Sequence, residues 1–219
     1  SEPCDVARGA AVRLDYHVFP RDRANAEIDL DLTCAMMDFM TRLAGPYPFA
    51  GEKYAQAEIQ WGGSMEHQTA TSLGVTVFTG DRRNELVVIH ELAHQWFGDS
   101  LTPAAWADIW LNEGFATYLE ALWAEHVYGP AGLQSFMASH DWGHDYGTGS
   151  LVRDPSRSYA PYYFRAISYH KGAWVLHMLR HLLGDEMFFA CLTNYLQTPE
   201  FRYATANTDD FVQVVEETT

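Results

Sequence analysis

The run His90-Glu91-Leu92-Ala93-His94 limits this chain more than any other stretch. A helix advances about 100° per residue, so His90 and His94 share one face, about 5–6 Å apart at Cβ. Leu86-Val87-Val88-Ile89 precede the run and Trp96-Phe97 follow it, which predicts a buried helix over about 84–98. Two imidazoles and a carboxylate inside an apolar helix need partners, and a metal ion supplies them. Zinc fits two histidines at this spacing. Glu91, on the flank, is the residue type that takes a proton from a metal-activated water. A surface helix with two solvated histidines is the bland alternative, and the apolar flanks argue against it.

Two histidines leave zinc short of one protein ligand. Nineteen residues beyond His94, Glu113 sits in the apolar run Trp110-Leu111-Asn112-Glu113-Gly114-Phe115-Ala116-Thr117-Tyr118-Leu119-Glu120. That run predicts a second helix over about 109–127, ending before Gly129-Pro130. Glu113 completes a His₂Glu set for one Zn²⁺ per chain, with one position open for water. Glu120, seven residues later on the same face, either supports a ligand or is solvated.

The rest of the composition narrows the class. With 219 residues and 47% apolar content, a packed interior is expected. A net charge of −15 argues against nucleic acid as a partner, which needs a basic face. It favours encounter with cationic ligands, peptide amino termini among them. Three cysteines, Cys4, Cys34 and Cys191, are too few and too scattered for a disulfide framework; Cys34 and Cys191 are expected as buried thiols. Nothing resembles a transmembrane span or a signal peptide. The opening Ser1-Glu2-Pro3, without Met, is expected of a piece cut from a longer protein, so cytoplasmic and exported locations fit equally.

In chain order, strands are expected over 11–19, 57–60 and 71–78. A helix is expected over 29–44, with Leu32, Met36, Phe39 and Leu43 facing the core. Glu66 lies in the glycine-bearing loop Gly62-Gly63-Ser64-Met65-Glu66-His67. It is either a solvated turn residue or a carboxylate placed to pair with a ligand ammonium. An edge strand beside it could align an extended peptide by strand addition. Residues 140–165 read as an aromatic, glycine-bearing loop; His140 and His144 have i, i+4 spacing, but Gly143 and Gly147 argue against a helix there. Tyr169 opens an amphipathic helix with Trp174, Leu176, Met178, Leu179, Leu182 and Leu183 as core candidates, ending at Gly184. Helices then follow over 185–196 and from about Thr208, the expected N-cap.

Three of these stretches together resemble one family. His90 to Glu120 is similar to the gluzincin aminopeptidases, the family of aminopeptidase N and leukotriene hydrolase. Gly63-Ser64-Met65-Glu66-His67 resembles that family's G-x-M-E-N exopeptidase motif, with His67 where many members have Asn. Ser168-Tyr169-His170-Lys171-Gly172 resembles its tyrosine motif. The resemblance implies an α+β, thermolysin-like zincin catalytic domain over 1–219. A small amino-terminal sheet lobe (about 1–83) would be followed by a larger helical lobe (about 84–219). It implies that Glu91 is the general base, that Tyr169 stabilises the oxyanion, and that Gly63, Met65, Glu66 and His67 bind substrate through its free amino terminus. The implied activity is zinc aminopeptidase. A zinc endopeptidase and a peptide-binding module without turnover are the alternatives. The resemblance also implies flanking amino- and carboxy-terminal domains of a parent protein that this chain lacks, and hence a poorer catalyst than the parent.

Overall fold

Val12 and Leu14 are buried and Arg13 between them is exposed, the alternation of a half-buried strand. In the computed structural model, which describes residues 1–7, 9–141 and 149–219, this is strand β2 (Val12–His17). The expected loop residues Gly143, His144 and Gly147 lie outside the described residues. Contacts divide the chain into two units, Ser1–Asp99 and Ser100–Thr219, and the fold is α+β.

The first unit holds a four-stranded sheet in the order β1 (Glu2–Cys4), β2, β3 (Tyr54–Ile59), β4 (Ala70–Gly74). β1 pairs antiparallel with β2; β2–β3 and β3–β4 are parallel. β3 begins before the expected residue 57, and β4 ends at Gly74, where the chain tightens into a 3₁₀ turn over Val75–Val77. The helix expected over 29–44 is α2 (Thr33–Ala44), which starts later than expected; a further helix, α1 (Arg23–Asp29), precedes it, and in the turn between them the Thr33 N–H bonds the Leu30 carbonyl. The buried face of α2 is Thr33, Met36, Met37, Met40, Thr41 and Ala44. Leu32, Phe39 and Leu43, expected in the core, are only half-buried: the face of α2 that is covered is the one carrying Met36, Met37 and Met40. A further correction concerns Cys34, expected as a free thiol. It is disulfide-bonded to Cys4, Cα–Cα 5.4 Å, tying β1 to α2. Sequence separation says nothing about which cysteines meet in space. Cys191 is a buried free thiol, as expected.

Helix α3 (Glu85–Ala93) packs on α2 and β4, so it belongs to the first unit, although the sequence places the lobe boundary near 83. Its approach is held by one buried carboxylate. The backbone N–H groups of Gly80, Asp81 and Arg82 donate to Asp29 at 2.7, 3.1 and 2.8 Å. Gly80 has φ +77° there, and a Cβ would meet Asn25 Oδ1 at 2.7 Å.

The second unit is helical apart from the parallel pair β5 (Leu101–Pro103) and β6 (Ala204–Ala206). Helix α4 (Trp110–Tyr128) is buried along most of its length and packs against α5 (Pro130–Ser139) and α7 (Gly172–Leu183). α5 starts at Pro130, the position where a missing N–H costs nothing, and was not anticipated. A short α6 (Ala160–Tyr163) interrupts the expected loop. On α7 the core expectation is corrected. Leu176 is fully buried, but Met178 is 59% and Leu182 79% exposed, because α7 meets α4 and α8 (Asp185–Gln197) through a narrower face. The last helix, α9 (Thr208–Thr218), is capped by Asn207 rather than Thr208. Asn207 and Asp210 exchange side chain-to-backbone bonds as a capping box. The Thr208 hydroxyl instead donates to Asp108 at 2.7 Å and accepts from the Trp110 indole at 2.9 Å.

Replacing Asp29 with Ala leaves three N–H donors without their acceptor. We expect Asp29→Ala to cost about 3 kcal/mol of stability, read as a lower denaturant midpoint at unchanged slope. A shift below about 0.5 kcal/mol would mean that water replaces the carboxylate.

Candidate metal centre and substrate loop

Each half of the predicted site is built within one unit. In the first, α3 ends at Ala93, but the His94 N–H still bonds the His90 carbonyl at 3.3 Å, so the helical turn carries both histidines. Their ring centroids lie 4.7 Å apart at 81°. Val88, Ile89, Leu92 and Ala93 bury the opposite face; Glu91 is buried and His90 half-buried. Beyond His94 the chain turns sharply through Gly98, whose φ of +143° suits glycine. That turn returns the Phe97 carbonyl to His94 Nδ1 at 3.0 Å. A carbonyl only accepts, so Nδ1 carries the proton that joins them. His94 is 1% exposed, and a buried imidazole held in this tautomer is what a metal ligand requires.

The loop expected to meet substrate lies in the same unit. Met65 pairs with Ser72 of β4 through two backbone bonds of 2.9 Å, so the loop itself covers part of the expected open edge. His67 Nδ1 lies 3.0 Å from the Ser72 hydroxyl. Glu66, half-buried, follows Met65, and its carbonyl accepts from Gln95 Nε2 at 3.2 Å. Gly62 faces open space, and a Cβ on Gly63 would meet only the Trp61 ring, at 3.1 Å. The glycine the loop requires is Gly74, where a Cβ would fall 2.3 Å from the Gly63 carbonyl oxygen. Asp99 accepts from Gln95 Nε2 at 2.6 Å. Burial, and then the charge of Glu66, push the Asp99 carboxyl up to about 7. Sequence reading passed over Gln95, Asp99 and Gly74. The signal for Gln95 was present: a lone amide inside an apolar run has to find partners.

In the second unit Glu113 is buried in the first turn of α4, where the helix dipole favours a carboxylate. Glu120 is half-buried on the same helix. Tyr169 does not open a regular helix; it sits in a π-helical turn, Ile167–Lys171, that leads into α7. Such turns interrupt regular bonding and redirect a side chain. Ser168 anchors the turn, its hydroxyl donating to the Tyr163 carbonyl at 2.6 Å, and Lys171 Nζ donates to the Gly149 carbonyl at 2.7 Å. His170 lies edge-on to His140, centroids 4.6 Å apart. Burial, and then the neighbouring His140, lower its pKa to about 4. The turn and α4 touch through glycine. A Cβ on Gly114 would come 2.9 Å from Gly172 Cα and 3.1 Å from the Ser168 carbonyl oxygen. Gly114 follows Glu113 and Gly172 ends the tyrosine motif, so this backbone contact sets the spacing between two predicted site residues.

A profile of the peptidase family M1 domain matches residues 29–219. The chain belongs to the peptidase M1 family. Bovine (Bos taurus) aminopeptidase N is 38% identical over 129 residues, 54% of this chain and 13% of that protein. A mutant M1 zinc metallopeptidase from Deinococcus radiodurans, solved with a Tyr-Ser-Ala substrate, superposes with TM-score 0.79 at 29% identity. That match covers all of this chain and 47% of the other. Yeast LTA4 hydrolase, 22% identical, shares the fold with TM-score 0.81 over 94% of this chain and 34% of its own. The chain thus spans about half the length of the Deinococcus relative and far less of the mammalian one. The gluzincin resemblance read from the three motifs is this M1 membership.

For this M1 chain the glycine contact yields a test. Gly114→Ala puts a methyl against backbone, which can move only with its helix, and is expected to cost about 2 kcal/mol. A thermal midpoint unchanged from wild type would mean that the two segments are not in contact through these residues.

Proposed function

We propose that this chain carries the catalytic centre of a zinc aminopeptidase, which removes the amino-terminal residue from peptides, and that its two units act as one catalytic domain. The proposed ligands are His90, His94 and Glu113, a donor set suited to one Zn²⁺ per chain with a position left open. The observation that carries this reading is the pair of imidazoles on one helical turn, ring centroids 4.7 Å apart, with the His94 Nδ1–H held by the Phe97 carbonyl.

Bound zinc supplies Lewis acidity and lowers the pKa of a water in its open position. Glu91, one residue from His90, takes the proton of the attacking water and hands it to the departing amine. The Tyr169 hydroxyl donates to the scissile carbonyl oxygen as negative charge develops there, and the π turn aims it. The Glu66 carboxylate pairs with the substrate ammonium, which places the cut one residue in. Gly63, Met65 and His67 shape the loop around that pair. The substrate class is therefore peptides with a free amino terminus. The Tyr-Ser-Ala held by the Deinococcus relative supports a peptide ligand.

Four variants test the roles. Glu113→Ala is expected to lose zinc, and Glu91→Gln to keep zinc while losing turnover by 10³-fold or so. Tyr169→Phe should lower kcat by roughly 10²-fold. Glu66→Gln should weaken free-amine substrates by about 1.5–3 kcal/mol. Elemental analysis and hydrolysis of free against N-acetylated aminoacyl substrates supply the readouts. Equal rates on both substrates would indicate an endopeptidase, and zinc without turnover of either would indicate a binding module.

A further inference from the structure

Gln95 is fully buried, one residue after His94, and its amide orientation is dictated by its partners. Oε1 accepts from the Thr69 backbone N–H at 2.9 Å, a group that can only donate. Nε2 faces two acceptors, the Glu66 carbonyl at 3.2 Å and Asp99 Oδ2 at 2.6 Å. The Tyr47 hydroxyl lies 3.3 Å from Oε1 and 3.0 Å from the Lys53 carbonyl, so its single proton is shared between them.

These bonds grip both ends of one short loop. Glu66 and Thr69 bracket His67-Gln68, and Thr69 sits at φ +58°, a conformation that costs a β-branched residue and persists only where its surroundings hold it. Gln95 holds it through the N–H, while the Thr69 carbonyl accepts from the Ala55 N–H at 2.9 Å and from Lys53 Nζ at 3.1 Å. The residue that follows a proposed metal ligand thus fixes the backbone from which the Glu66 side chain springs.

We propose that Gln95 is a positioning residue: it sets the Glu66 carboxylate, and hence the substrate ammonium, at a fixed distance from the histidine pair. The inference rests on Glu66 being the amine anchor. It adds that the anchor's placement is governed from the metal helix rather than by the glycines of its own loop. A side chain held only by Gly62-Gly63 would drift, and an anchor that must be ordered on binding gives up part of the affinity of its contact.

The test uses the purified zinc-loaded protein and a free aminoacyl substrate. Gln95→Met matches the length of the side chain without its amide. It is expected to raise KM about tenfold while kcat stays within about threefold and zinc content is unchanged. In a Glu66→Gln background the same substitution should add little, because two residues acting through one contact are not additive. If Glu66→Gln alone leaves KM unchanged, the anchor reading fails. If Glu66→Gln raises KM and Gln95→Met does not, the anchor stands and the positioning role is overturned. Equal losses from Gln95→Met in both backgrounds, or lost zinc, would likewise overturn it, since Gln95 would then act on the metal side. Should Gln95→Met not fold, Gln95→Glu carries the test. It keeps the acceptor for Thr69 and removes the donor to Glu66, and an unchanged KM in that variant overturns the proposal.

Discussion

A buried imidazole can present a fixed face only when its ring is held by a bond to one nitrogen. The bond from His94 Nδ1 to the Phe97 carbonyl holds that ring, and much of the first unit is arranged around it. Phe97 can reach back only because Gly98 allows a φ of +143°. The turn is pinned by the Trp96 indole donating to the Gly45 carbonyl at 3.0 Å, by the Asp99 N–H to the His94 carbonyl at 2.9 Å, and by Gln95. Upstream, Asp29 fixes the approach to the same helix through three backbone N–H groups. α3 is therefore held at both ends by hydrogen bonds and along its length by Val88, Ile89 and Leu92. That is the rigid support a precise ligand geometry needs.

In the second unit, glycine does comparable work by bringing backbones together. Gly114 and Gly172 let the helix that carries Glu113 meet the turn that carries Tyr169 with no side chain between them. Each glycine lies within one of the recognised motifs, so motif spacing that looks catalytic is partly steric. Gly74 does the same under the substrate loop: its missing Cβ makes room for the Gly63 and Trp61 carbonyls, and it falls outside the motif read from the sequence.

Legibility followed locality. Helices α3, α4 and α8 were readable because apolar runs, caps and glycine stops lie within a few residues of what they specify. The M1 motifs were readable because zinc chemistry tolerates few spacings. What escaped the sequence depends on partners far along the chain. The bond between Cys4 and Cys34 needs β1 and α2 in place. The buried face of α2 depends on what packs against it, α3 included. The exposure of Met178 and Leu182 depends on what α7 packs against, and a hydrophobic stripe alone does not say whether anything covers it. Thr208 was passed over as N-cap because Asp108, a hundred residues earlier, binds its hydroxyl and leaves the capping to Asn207. Gln95 announced itself as a lone amide in an apolar run, but two of its partners, Thr69 and Glu66, lie 26 and 29 residues back and could not be named.

The acidic balance takes on a different meaning once the carboxylates are sorted by partner. Arg23–Glu27, Arg42–Asp38 and Arg83–Asp81 are largely exposed pairs. Pairs of that kind contribute little to stability and are screened by salt. Asp29, Asp108 and Asp210 instead bond backbone N–H groups, at the approach to α3 and at the start of α9. A carboxylate that accepts from backbone fixes chain direction, which an ion pair between two long side chains does not. A chain of charge −15 is thus shaped by a few acids turned inward. The outward ones set its long-range field, whose effect is on encounter with cationic ligands. Glu66 stands between these groups: its carbonyl is tied to Gln95, and its charge adds to burial in raising the pKa of Asp99.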